Sequence, residues 1–346
     1  MTVTKLIKKG YNILLNSGFV ENSVCKRLNQ IEGSIDYNQK CTLILGSTGA
    51  IGLQVVNNIV ASVVGPSKHV DLNDCQTTLV LIKRKDTFLG ESLYAINEYN
   101  VFFEEISRQI INIELKHPAM VIYSSFKSKR KTCSKVVSVY EIIYPDSSDW
   151  STIFKTWRNN INNLCLPDYK ELTGLVSCLG TTKSKLKHDN LGYKVKITSQ
   201  RNVDYELNFS LIKAVSNASL KIILLTSFNS YTLGSSVPYF KNKLDLEKDV
   251  SSKLEFAKIF IVRPGPYVFC SSNYEIFKKY ALNGSLDYRS LMSQIIAYNF
   301  YKTHVSKFFG YCVQSYDVSK AIELVLFSID EDKHSNHIVY IQSKNM

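Results

Sequence analysis

The run CTLILGSTGAIG, Cys41 to Gly52, constrains the fold of this chain more than any other stretch. Thr42–Leu45 is short, branched and wholly apolar, the pattern of a parallel strand covered on both faces. It ends abruptly in Gly46, Gly49 and Gly52, spaced three apart, and LQVVNNIVASVV then carries a helical pattern up to Gly65-Pro66. Gly46 allows a tight turn, Gly49 lets backbone N–H groups approach a pyrophosphate, and Gly52 lets the helix pack close to the strand. The helix N-terminus favours the anion. Strand, glycine turn and helix in that order predict a dinucleotide site.

The second strand, Thr77–Ile82, settles which dinucleotide to expect. An acidic residue normally ends that strand and binds the ribose of NAD, whereas here Lys83, Arg84 and Lys85 follow. Basic side chains attract a 2′-phosphate, which favours NADP(H) over NAD(H). Further buried strands are predicted at Lys135–Ile143, Leu172–Gly180, Leu220–Ser227 and Ala257–Gly265, with HIVYIQS as the last. Helical patterns separate most of them, so the fold class is α/β: a Rossmann-like, doubly wound, mostly parallel sheet of seven strands. A small C-terminal substrate cap is expected from about 267–309. Residues 1–39 read as a basic extension, 40–346 as the nucleotide-binding domain, and about 86–133 as an insertion between the second and third strands.

A proton-transfer device follows from three residues. Ser227 closes its strand at the carboxyl edge, where such sheets place ligands. Tyr239 comes next, and Lys243 stands four residues later, one helical turn away on the same face. An ammonium beside a phenol stabilises phenolate, so Tyr239 is the candidate acid or base and Ser227 the group that holds a substrate oxygen. Tyr231 is a rival phenol in the same loop.

The segments SCLGTTKSK, VDYELN, LLTS, YFKNK, VRPGP, FFGYCV and YDVSKAI, in this order, resemble the atypical and extended short-chain dehydrogenase/reductases. Within them the chain is most similar to the fungal mitochondrial-outer-membrane reductase-like proteins and the Tat-interacting, NADPH-binding oxidoreductase-like proteins. The resemblance implies that Gly46, Ser47, Thr48, Gly49, Ala50, Ile51 and Gly52 form the diphosphate loop, and that Arg84 contacts the adenosine phosphate. It places Leu179, Gly180 and Thr181 beside the riboses, makes Tyr239 catalytic, and has Lys243 lower its pKa and bind the nicotinamide ribose. Ser227 completes the trio, Tyr267 lies on the nicotinamide side, and Asn208 stands where relatives carry a supporting asparagine. Tyr267, Phe269, Phe308 and Phe309 are expected to line the substrate space. The loop KLKHDNLGYK after Gly180 and the insertion after Lys85 depart from the family pattern.

Composition narrows the setting. A net charge of +12 suits an anionic partner. The basic run Lys127–Lys131 lacks the zinc-finger spacing or aromatic strings of a nucleic-acid module, so no nucleic acid is expected. Eight cysteines, at 25, 41, 75, 133, 165, 178, 270 and 312, show no zinc spacing and read as reduced core thiols. No metal is expected. Lys5, Lys8 and Lys9, with no acid in the first twenty residues, fit a mitochondrial targeting segment or an interfacial helix, although Gly10 weakens a helix. The leading expectation is therefore an NADP(H)-dependent oxidoreductase acting on a small carbonyl or alcohol, attached peripherally to the mitochondrial outer membrane or cytoplasmic. The alternatives are an NADPH-binding regulator or scaffold without turnover, and an epimerase-like enzyme using the same trio.

Overall fold

The computed structural model describes residues 35–38, 41–65, 74–87, 101–111, 115–128, 134–159, 164–181, 199–228, 237–265, 267–268, 299–300, 313–329 and 338–342. The described strands are β1 (Cys41–Leu45), β2 (Asp74–Lys83), β3 (Val101–Ile111), β4 (Ala119–Ser128), β5 (Ser134–Ile143), β6 (Leu172–Ser177), β7 (Lys221–Leu225), β8 (Lys258–Arg263), β9 (Tyr267–Val268), β10 (Val313–Gln314) and β11 (Ile338–Gln342). The described α-helices are α1 (Ala50–Val64), α2 (Trp150–Arg158), α3 (Asn208–Val215), α4 (Pro238–Lys253) and α5 (Ser315–Phe327). A π-helical turn, Asn202–Leu207, runs directly into α3.

The main sheet has the order β11-β8-β7-β6-β1-β2-β5-β4-β3. The seven strands from β11 to β5 are all parallel to their neighbours. From β1 the order runs outward both ways, so the crevice beyond the carboxyl ends of β1 and β6 is the topological switch point, where open α/β sheets take ligands. Alternation in β1 explains the layering: Ile44 faces one core with α1 and α5, while Leu43 and Leu45 face the other with α2, α3 and α4. Helix α2 buries Trp150, Ile153, Phe154 and Trp157, one stripe at helical spacing. In α1 twelve of fifteen residues are buried, so this helix is covered nearly all round.

Among the described residues the sheet has nine strands, against the seven expected. The extra pair comes from the insertion at 86–133: β3 and β4 form an antiparallel hairpin, and β4 pairs antiparallel with β5. Phe126 of β4 is fully buried, with the Phe103 ring 5.0 Å away, so the hairpin continues the core outward. β3 ends the sheet. It carries exposed charges at Glu104 and Arg108 and a register break between Glu105 and Ser107, features that discourage another strand from adding to an edge.

Part of the stretch read as an extension is built into the body. Tyr37 is buried with its ring 4.8 Å from Phe327, and its hydroxyl donates to Glu323 Oε1 at 2.7 Å. β9, at the start of the expected cap, forms a separate two-stranded parallel pair with β10, and of the rest of the cap only 299–300 are described. Cys41 and Cys75 are buried thiols and Cys178 is half-buried, whereas Cys165 is exposed, contrary to the reading of all cysteines as core thiols. No described helix is long and apolar enough to cross a membrane, and the described residues contain no cluster of metal-ligating side chains.

Candidate functional site

The glycine turn is built as its spacing requires. Gly46 has φ +78°, and a Cβ there would stand 2.8 Å from the Cys178 carbonyl carbon. A Cβ on Gly52 would stand 2.2 Å from the Gly46 oxygen. Gly49 differs: it donates its N–H to that oxygen at 2.9 Å, and a Cβ there would meet nothing else within 4 Å. The first and third glycines serve packing, and the second keeps the backbone open to an approaching group. Helix α1 starts at this opening with no side chain capping it and no acid in its first turn, which leaves its N–H groups to an anion. Ser47 is buried, and its Oγ has no hydrogen-bond partner. Thr48 is exposed, Ala50 half-buried and Ile51 buried. An uncapped helix end, an open glycine and an orphaned hydroxyl fit a diphosphate.

At the end of β2 the three basic residues separate. Lys83 is buried in an ion pair with Glu141 of β5, and its Nζ also donates to the Thr87 carbonyl at 2.7 Å. Burial pushes the Glu141 carboxyl above its ordinary range, with Lys83 opposing. Lys83 is thus spent inside the fold. Arg84 is half-buried, with Nε donating to the Pro145 carbonyl at 3.1 Å, and Lys85 is exposed. Arg84 and Lys85 are the basic residues nearer the surface at this strand end.

The β6 end meets the glycine turn, with the Cys178 N–H bonded to the Leu45 carbonyl at 2.9 Å. Beyond it, Leu179 and Gly180 are half-buried and Thr181 is buried. Lys243, buried on α4, donates from Nζ to the Leu179 carbonyl at 2.7 Å. Asp204, fully buried on the π-helical turn, lies with Oδ1 3.6 Å from the same ammonium and accepts the Thr181 N–H at 3.0 Å. Burial raises the Asp204 pKa, and Lys243 is the main influence pulling it back. Asn208 is fully buried, but its Oδ1 accepts from Ser177 Oγ at 2.6 Å, tying α3 to β6.

Tyr239 occupies the first turn of α4, half-buried, one turn before Lys243. Pro238 opens this helix, where a missing N–H costs nothing. Ser227 follows β7, half-buried, and the next N–H, that of Phe228, bonds to the Pro264 carbonyl at 2.9 Å. The fold therefore brings Lys243, the Leu179–Thr181 segment and the glycine turn together, with Ser227 at the neighbouring strand end. Tyr267 stands in β9, and its side chain lies outside the described residues, as do Tyr231, Phe269, Phe308, Phe309 and the loop KLKHDNLGYK.

Two features were missed from the sequence. Asp204 lay inside the noted VDYELN segment, yet only the packing of α4 against the π-helical turn reveals its partner. The other is Glu247, one turn beyond Lys243, which accepts from Thr226 Oγ1 at 2.5 Å and from Arg263 Nε at 3.1 Å. Arg263 lies 4.3 Å over the Tyr340 ring. This network clamps α4 to the ends of β7 and β8.

The HIM1 family model matches residues 139–302, a span that holds Asp204, Ser227, Tyr239 and Lys243 but not the glycine turn. The mitochondrial protein FMP52 of Meyerozyma guilliermondii is 29% identical over 157 residues, 45% of this chain and 57% of that protein. HIM1 of Saccharomyces cerevisiae is 25% identical over 49% of this chain and 46% of its own length. FMP52 of Saccharomyces cerevisiae is 26% identical over 61% and 76%. By sequence the chain is similar to the FMP52 and HIM1 proteins. It spans about half the length of the first two of these relatives. Among solved structures, an NADPH-dependent 3-quinuclidinone reductase from Rhodotorula rubra is 10% identical with a TM-score of 0.44, covering 92% of this chain and 95% of that one. A human epimerase family protein solved with NADPH is 11% identical with a TM-score of 0.40, covering 88% and 77%.

Proposed function

We propose that this chain is an NADP(H)-dependent oxidoreductase of the atypical short-chain dehydrogenase type, acting on a small carbonyl or alcohol. The observation that carries the reading is one junction: the segment packed against Gly46 continues into the Leu179 carbonyl, which accepts from the buried ammonium of Lys243. A phosphate-binding turn and a tyrosine-activating lysine thus share the switch point of the sheet.

In this reading the open backbone at Gly49, the orphaned Ser47 hydroxyl and the N-terminus of α1 hold the diphosphate. Arg84 takes the 2′-phosphate and sets the preference for NADP(H). The Leu179–Thr181 segment lies along the riboses, and Tyr267 on the nicotinamide side. The bound nicotinamide supplies or accepts hydride. Tyr239 gives or takes the proton of the substrate oxygen, Lys243 favours the phenolate that this requires, and Ser227 holds that oxygen. FMP52 relatives are named mitochondrial. Together with the basic segment at 1–39 this supports a mitochondrial location, and peripheral attachment at the outer membrane belongs to the same reading as what the sequence resemblance implies.

The test is purified protein with NADPH and a panel of aldehydes and ketones, beside Tyr239→Phe. Oxidation of NADPH by the wild type is expected, with the variant reduced about 100-fold or more. Turnover that survives the substitution overturns the assigned mechanism. Tight uptake of NADPH with no turnover on a broad panel overturns the enzyme reading in favour of a regulator.

A further inference from the structure

Asp204 is a buried carboxylate to which the trio assigns no role, and its surroundings give it one. Its Oδ1 accepts the Thr181 N–H at 3.0 Å and lies 3.6 Å from Lys243 Nζ. The same ammonium donates to the Leu179 carbonyl at 2.7 Å. Gly180, between those two loop residues, leaves room for the pair: a Cβ there would stand 3.2 Å from Lys243 Nζ and 3.4 Å from Asp204 Oδ1. From the other side, Gln200 Nε2 donates to the Thr181 carbonyl at 2.7 Å. Both ionisable side chains are buried, Lys243 at 2% exposure and Asp204 at 0%. Removing one partner of such a pair leaves the other charge buried and uncompensated, so the two side chains hold each other in place.

We propose that Asp204 is a positioning residue: it fixes the Lys243 ammonium against the Leu179–Thr181 segment and supplies its buried counter-charge, so that the cation is held in place for the dinucleotide. This inference rests on the dinucleotide reading above. One carboxylate then sets both the loop that borders the ligand and the cation that reaches it. Asn208, one turn further on, does not substitute, because its side-chain oxygen is taken by Ser177.

The experiment is a double-mutant cycle read as NADPH affinity by calorimetry on the full chain. Asp204→Asn keeps an acceptor for the Thr181 N–H and removes the charge. It is expected to weaken NADPH about tenfold in the wild-type background, a size ordinary for groups in one ionic network, and to have no further effect in the Lys243→Met background. Asp204→Glu, which keeps the charge one methylene further out, is expected to retain more affinity than Asn, and it serves in the cycle alone should the Asn variant not fold. Wild-type affinity in Asp204→Asn overturns the proposal. So does an equal loss in both backgrounds, the result a purely structural role would give. Wild-type protein that takes up neither dinucleotide overturns the dinucleotide reading itself, and this inference with it.

Discussion

Single residues divide by whether their constraint is local. Gly46 and Gly52 could be read directly because a backbone that crosses itself excludes a side chain, and that exclusion is written as glycine. The Cβ contacts of 2.8 and 2.2 Å are with main-chain atoms that have nowhere to move. Gly52→Ala is therefore expected to cost about 2 kcal/mol or more in urea unfolding, the range for forced backbone shifts and strain. Gly49→Ala is expected to stay within about 1 kcal/mol of the wild type, since its single neighbour stands at 3.2 Å, while weakening NADPH. Equal losses for the two would mean that the middle glycine also serves packing. The basic run after β2 shows the opposite case. Lys83, Arg84 and Lys85 look alike in sequence, and only the distant Glu141, brought alongside by β2–β5 pairing, draws Lys83 into the interior. Asp204 was hidden for the same reason.

Elements were readable where periodicity speaks and obscure where a partner element decides. The hydrophobic run placed α1, but its asparagines gave no sign of their destination: Asn58 accepts from Gln54 and donates to Ser319 of α5, a helix 261 residues away at that contact. Helix α4 was found through Tyr239 and Lys243, yet what seats it is Glu247. That carboxylate takes Thr226 Oγ1 and two nitrogens of Arg263, with the Glu247 side chain 3% exposed and the Arg263 side chain 11%. Removing one partner of such a pair leaves the other charge buried. Glu247→Gln is expected to lower stability by about 3 kcal/mol, with the urea m-value unchanged. A loss below about 1 kcal/mol would place Arg263 in solvent contact sufficient to stand alone.

Across the whole molecule, the seven parallel strands were each predicted near their observed positions, because strands buried on both faces are continuous apolar runs bounded by turns. The two added strands were not. Residues 86–133 read as an insertion of no assigned structure, and the alternation in VFFEEISRQII is broken by the register shift between Glu105 and Ser107, which leaves consecutive residues of β3 exposed. β4 lacks that disguise but reads equally as a buried helix segment. The hairpin's two strands have unequal duties. β4 pairs with β5 from Met120↔Ile143 to Lys127↔Val136 and buries Val121 and Phe126, so it covers the flank of the β1–β2–β5 half of the sheet. β3 is the outer rim, where Ile110 is 72% exposed. Replacing residues 101–128 with a short linker uncovers an apolar strand edge, and the product is expected to melt lower and to aggregate on size exclusion. Ile110→Lys at the rim changes stability by less than about 0.5 kcal/mol if the rim is solvent-facing in solution, and the protein elutes as the wild type does. Should the lysine variant instead melt several degrees lower, or shift its elution, another surface covers β3 in solution and the hairpin is an interface as well as a flank.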